Sequence, residues 1–150
     1  MTPDDLPALP YVFRPVRSRR VIWAVAVVLL VTMVALGFAV PRGRGTATVV
    51  DQLSLLVFWL VAVAVLVALA RPRVVVEDSG LLVVNLVRRR PLDWAQVVGV
   101  RFGSGDPWVV LDLSDGTTLA VMGIQRSDGP GAERAARQLA ALIRAHQPTD

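Results

Sequence analysis

Hydrophobic positions in this chain are concentrated before residue 71, in two unbroken runs. Val21–Val40 and Leu53–Ala70 contain no charged side chain. At a helical rise of about 1.5 Å per residue, the first run covers about 30 Å, the hydrocarbon thickness of a bilayer. Lipid offers no partner to a backbone N–H or C=O, so helix is expected in spite of the many valines. Two transmembrane helices follow, over 21–40 and 53–70, with Trp23 placed as an interfacial anchor. Between them, residues 41–52 are punctuated by Pro41, Gly43 and Gly45 and read as an external loop joining antiparallel helices. A cleaved leader ending near Ala39 is the alternative for the first run. The polar lead before it, its length and the second run behind it argue against that. A buried globular hairpin is the other alternative, and two uncharged runs this long disfavour it.

After Arg71-Pro72-Arg73 the period changes. "VVVED", "SG" and "LLVVNLV" read as strand, turn and strand, with Gly80 supplying the turn. "RRRPLDWA" reads as a connection, since Pro91 cannot donate in a central strand. "QVVGVRFG" reads as a third strand with Val98, Val100 and Phe102 on one face. "PWVVLDLSDGTTLAVMG" is a hairpin pattern around Ser114-Asp115-Gly116. From about 130 to 146 the period becomes helical, with Pro130 at the start. Ala132, Ala135, Ala136, Leu139, Leu142 and Ile143 form one apolar face. The prediction is about five strands and one amphipathic helix that covers the open side of an antiparallel sheet.

Charge sets the orientation. Of the 16 basic residues all are arginine, and the formal net charge is +4. Arg14, Arg17, Arg19 and Arg20 precede the first run, Arg71 and Arg73 follow the second, and only Arg42 and Arg44 lie between. The positive-inside rule places both termini in the cytoplasm of a multi-pass plasma-membrane protein. Residues 1–20, with Pro3, Pro7, Pro10, Asp4 and Asp5, are expected to be a disordered cytoplasmic tail. Residues 71–150 carry ten arginines against nine acids, so a nucleic-acid partner is not expected.

Candidate chemistry is sparse. With no cysteine and no lysine, thiol catalysis, zinc–thiolate sites and Schiff-base chemistry are excluded. The one histidine, His146, falls in the last helical turn, where a solvated residue favoured by the helix dipole is expected. Glu77 and Asp78 are adjacent, point to opposite faces if extended, and read as turn residues. No phosphate loop or calcium loop is present. The reading is non-enzymatic, with no cofactor and no metal.

The segments "YVFRP" (Tyr11–Pro15), "RPRVVVEDSGLLVVN" (Arg71–Asn85), "DWAQVVGVRF" (Asp93–Phe102) and "LSDGTTLAVM" (Leu113–Met122) carry a resemblance. The chain resembles small actinobacterial membrane proteins, some described as low-molecular-weight antigens, that carry a bacterial pleckstrin-homology (PH)-like domain. The resemblance implies a two-helix transmembrane hairpin followed by an α+β domain over 71–147. That domain would be an antiparallel half-barrel of about five to seven strands closed by the C-terminal helix.

In eukaryotic PH domains basic residues on strand connections hold lipid headgroups, which singles out Arg88, Arg89 and Arg90. The bland reading of that run is a charged collar that keeps the domain on the cytoplasmic side. Trp94 and Trp108 either pack in the core or line a groove, and Trp94 joins the arginines as a candidate partner contact. The expected function is a membrane-anchored binding or scaffolding module. Its partner would be another membrane or cytoplasmic protein, taken through an exposed strand edge, or a second copy. Anionic-lipid sensing through Arg88–Arg90, or service as an accessory subunit of a membrane complex, are the alternatives.

Overall fold

A computed structural model describes residues 7–39 and 46–147. In order they form β1 (Tyr11–Phe13), α1 (Val16–Ala39), α2 (Thr46–Leu69), β2 (Arg73–Glu77), β3 (Gly80–Val84), β4 (Arg89–Asp93), β5 (Val97–Arg101), β6 (Trp108–Leu113), β7 (Thr118–Gln125) and α3 (Pro130–His146). Two compact units result, Met1–Ser18 with Arg71–Asp150, and Arg19–Ala70.

The second unit is helical. α1 and α2 each hold a stretch long and apolar enough to cross a membrane, Val16–Phe38 and Val49–Leu69. None of either stretch is buried inside the protein. Leu30, Val34, Leu56 and Leu60 stand exposed, an apolar surface that suits hydrocarbon and is not covered by the rest of the chain, as a buried globular hairpin would be. Both helices start earlier than the uncharged runs. Residues 46–52, expected in the loop, are helical, because nothing after Gly45 breaks the pattern; residues 40–45 lie outside the described residues.

The first unit holds seven strands in two antiparallel sheets, in the orders β1-β2-β3-β4 and β5-β6-β7, with α3 packed against them. Strand alternation sets the core. Val74 and Val76 of β2, Val109 and Leu111 of β6 and Val121 of β7 are all fully buried. α3 adds Ala132, Ala136, Leu139, Leu142 and Ile143 from one face, as its spacing predicts. The β6–β7 turn has Gly116 at φ +78°, with the Leu113 amide bonded to the Thr117 carbonyl at 2.9 Å. β7 crosses the start of β2 so closely that a Cβ at Gly123 would lie 2.8 Å from the Arg73 carbonyl carbon.

Three expectations are corrected. Residues 11–20 are not a disordered tail. Tyr11–Phe13 pairs with β2 in the register Tyr11↔Val76, Val12↔Val75, Phe13↔Val74. Phe13 is 5% exposed, Pro15 is buried and Val16 opens α1. An apolar three-residue run bounded by prolines is short enough to read as tail, yet it completes the sheet edge. The stretch "RRRPLDWA" is not a connection throughout. Its residues 89–93 are β4, where Pro91 lies opposite Leu82 on the outermost strand and owes no N–H to a further neighbour. Third, the face of β5 is offset. An irregularity between Val97 and Gly99 buries Val97 completely and leaves Val98 59% exposed.

Candidate interaction surface

The arginine run does not converge on one spot. Arg88 precedes β4 and is exposed. Arg89 and Arg90 follow each other in the strand, so their side chains leave opposite faces. Arg90 reaches the turn of the other sheet, where its guanidinium lies 3.4 Å from the Asp115 carboxylate, both half exposed. Hydrogen bonds from the Thr117 hydroxyl and amide to that carboxylate, and then the charge of Arg90, hold Asp115 below the usual carboxylate range.

Trp94 is not on the surface with them. It sits in a one-turn 3-10 helix after β4, is buried, and its indole N–H donates to the Asp78 carbonyl at 2.9 Å. Its ring stacks on His146, with centroids 4.3 Å apart and planes at 12°. That settles both residues: Trp94 packs in the core, and His146 is half-buried against it, not simply solvated. The His146 Nδ1 lies 2.9 Å from the Leu142 carbonyl, so the ring is also tied to its own helix.

An open groove runs between the end of β5 and α3. Val100, Phe102, Ala136 and Ala140 form its apolar floor, with Glu133 and Arg137 at the rim. Arg126 shapes one wall. Its guanidinium lies 4.4 Å over the Phe102 ring and donates to the carbonyls of Asp106 and Gly103, clamping the β5–β6 loop. Nothing in the sequence pattern marks Arg126, because its partners are backbone carbonyls about 20 residues away.

The strand edges differ in protection. β4 carries Arg89, Arg90 and Pro91, and β1 has only three residues; both features blunt an edge. β5 has five residues and no proline. One carbonyl on it, that of Val97, accepts from the Gln147 side chain at 2.7 Å. Beyond it come exposed Val98 and then Arg101, which forks onto Asp112 with N···O distances of 2.8–3.0 Å. That hydrogen bonding and the Asp112 charge raise the Arg101 pKa further.

In the turn after β7, Asp128 caps α1. Its two carboxylate oxygens accept from the amides of Val16 at 3.0 Å and Arg17 at 2.7 Å, satisfying donors that a helix start leaves unpaired. The Ser18 hydroxyl donates to the Gln125 side chain at 2.6 Å, and Arg17 donates to the Ser127 carbonyl. Among the described residues no three His, Asp or Glu side chains gather as a metal site would require.

Comparison with known proteins agrees with this geometry. The family model described as "Bacterial PH domain" matches residues 71–141. Uncharacterized proteins of Mycobacterium bovis and Mycobacterium tuberculosis are 32% identical over 139 residues, which is 91% of this chain and 90% of theirs. No solved structure matches the chain. With two antiparallel sheets, a C-terminal helix and relatives that align along nearly the whole length, the chain belongs to the bacterial PH domain family.

Proposed function

We propose that this protein is a two-span plasma-membrane protein whose PH-like domain is a non-catalytic binding module. The module takes an extended segment of a partner protein along the edge of β5. The observation that carries this is the β5 edge itself, free of proline past the irregularity at Val97–Gly99 and bordered by the apolar groove against α3. A strand added there would gain main-chain hydrogen bonds, and alternate side chains would enter the groove. Arg88–Arg90 as a lipid site has less support, because Arg90 is engaged by Asp115 and Arg89 leaves the opposite face.

The pairing of β1 with β2 supports a common side for the two ends of the helical hairpin, since one strand precedes α1 and the other follows α2. The arginine bias makes that side the cytoplasm. A photo-crosslinking side chain placed at Val98 in the full-length membrane protein tests the edge. A discrete protein adduct from Val98, lost when Phe102→Glu charges the groove and absent from a probe at Glu77, is expected. Equal labelling from both positions would remove the β5 edge from the account.

A further inference from the structure

We infer that Arg14 and Arg73, with Arg71 two residues before Arg73, form a binding patch for the phosphate of anionic phospholipids. This goes beyond the proposed protein-binding role and uses different residues, on β1 and β2. The argument starts from register. Phe13 and Val74 are the last partners of β1 and β2, and both point into the core. One position further, Arg14 and Arg73 therefore turn to the outer face side by side. The burial pattern repeats this alternation: Pro72, Val74 and Val76 are buried, whereas Arg71, Arg73 and Val75 are not.

Two like charges opposite each other on neighbouring strands repel, so a counter-charge is needed to hold them. Among the described residues no carboxylate supplies it: the ion pairs there are Arg90–Asp115, Arg101–Asp112 and Arg137–Glu133, and none includes Arg14, Arg71 or Arg73. The carboxylate close to Arg17, Asp128, has both oxygens turned to the α1 backbone amides. In sequence, Arg14 stands two residues before α1 and Arg71 two residues after the end of α2, the two helices long and apolar enough to span a bilayer. Arginines fixed next to two spans meet the phosphates of the headgroup layer first. The guanidinium fork matches phosphate oxygens bidentately. A guanidinium patch of this kind recognises the shared phosphate and negative charge of such lipids and not one headgroup.

The test uses the full-length protein in phosphatidylcholine nanodiscs with graded phosphatidylglycerol, read as the shift of the thermal unfolding midpoint. Phosphatidylglycerol should raise the midpoint of the unmodified protein, as a ligand of the folded state does. Inorganic phosphate at matched concentration should not. Arg14→Gln/Arg73→Gln should weaken the apparent lipid affinity, by about fivefold per arginine or about 25-fold for the pair. Arg88→Gln/Arg89→Gln should leave it unchanged. Losing a like-charge contact should keep the first variant folded in phosphatidylcholine alone, and the single variants give the same reading if it is not. Full retention of the lipid response in Arg14→Gln/Arg73→Gln, its loss in Arg88→Gln/Arg89→Gln, or a matching shift from inorganic phosphate would overturn the inference.

Discussion

Phe13 and Val74 are direct partners across β1 and β2, although both apolar helices lie between them in sequence. The PH-like domain is therefore discontinuous. Its first strand precedes the helical hairpin, and the hairpin is an insertion between two neighbouring strands of one sheet. The stretch that the family model matches, 71–141, begins after that strand.

A fragment beginning at residue 71 should then be incomplete. Without β1 the outer edge of β2 is open, and the cover that Phe13 gives the core is gone. Joining residues 7–18 to 71–147 through a short Gly/Ser linker should restore a cooperative urea transition that the 71–147 fragment lacks or shows at a much lower midpoint. In the joined chain Phe13→Ala should cost about 3–5 kcal/mol, the usual range for a large buried aromatic. Equal midpoints for fragment and joined chain would show that β1 contributes nothing.

Asn85 ties the two sheets together. Its side-chain amide donates to the Ala120 carbonyl at 2.7 Å, and its side-chain oxygen accepts from the Met122 amide at 3.1 Å. One carboxamide thus continues the ladder where β3 ends and β7 passes. Asn85→Ala strands a donor and an acceptor and should lower stability by about 1–3 kcal/mol. Asn85→Asp keeps the acceptor but sets a carboxylate oxygen against the Ala120 carbonyl, and should lower stability at least as far. Thermal unfolding of the three proteins gives the order directly.

Truncations should separate core from edge. Leu139 is fully buried between α3 and the sheets, so Leu139→Ala should cost about 2–5 kcal/mol. Val98→Ala should stay within about 0.5 kcal/mol, as surface changes do, while removing the apolar knob from the β5 edge. A large loss for Val98→Ala in denaturant melts would mean that the edge is covered.

The Asp115 carboxylate sits below its ordinary range because Thr117 donates to it twice and Arg90 adds its charge. The folded pKa is lower than the unfolded value, so the stabilisation is present above the unfolded pKa and is lost as pH falls through the folded one. Carboxylate chemical shifts followed against pH should show Asp115 titrating late on the way down. Thr117→Val should move its midpoint upward more than Arg90→Gln does. Because Asp115 is exposed, its share of acid unfolding should be small.

The sequence made most of this architecture legible where a local period is long enough. The two long apolar helices, α3 and the hairpin around Asp115-Gly116 follow from charge-free length, helical spacing and turn chemistry. What it concealed depends on distant partners. Tyr11–Phe13 is too short to show a period between prolines, and only β2 makes it a strand. Arg89–Asp93 carries a proline that argues against a strand until its outermost position in the sheet is known. The irregularity at Val97–Gly99 turns Val98 outward and away from Val100 and Phe102, with which simple alternation groups it. The surface was read less well for the same reason. The Arg88–Arg90 run stands out locally, but the engagement of Arg90 by Asp115 spans two sheets, and the juxtaposition of Arg14 with Arg73 requires the β1–β2 register.

The discontinuous domain can be tested in the full-length protein, which has no cysteine of its own. Val12 and Val75 are partners on the outer face of β1 and β2. Val12→Cys/Val75→Cys, oxidised in isolated membranes, should form an intramolecular disulfide that still joins the pieces after proteolytic cleavage between α1 and α2; Val12→Cys/Val98→Cys should not. Separation of the Val12→Cys/Val75→Cys pieces after cleavage, under oxidation that cross-links a Val110→Cys/Ala120→Cys control on β6 and β7, would contradict the account.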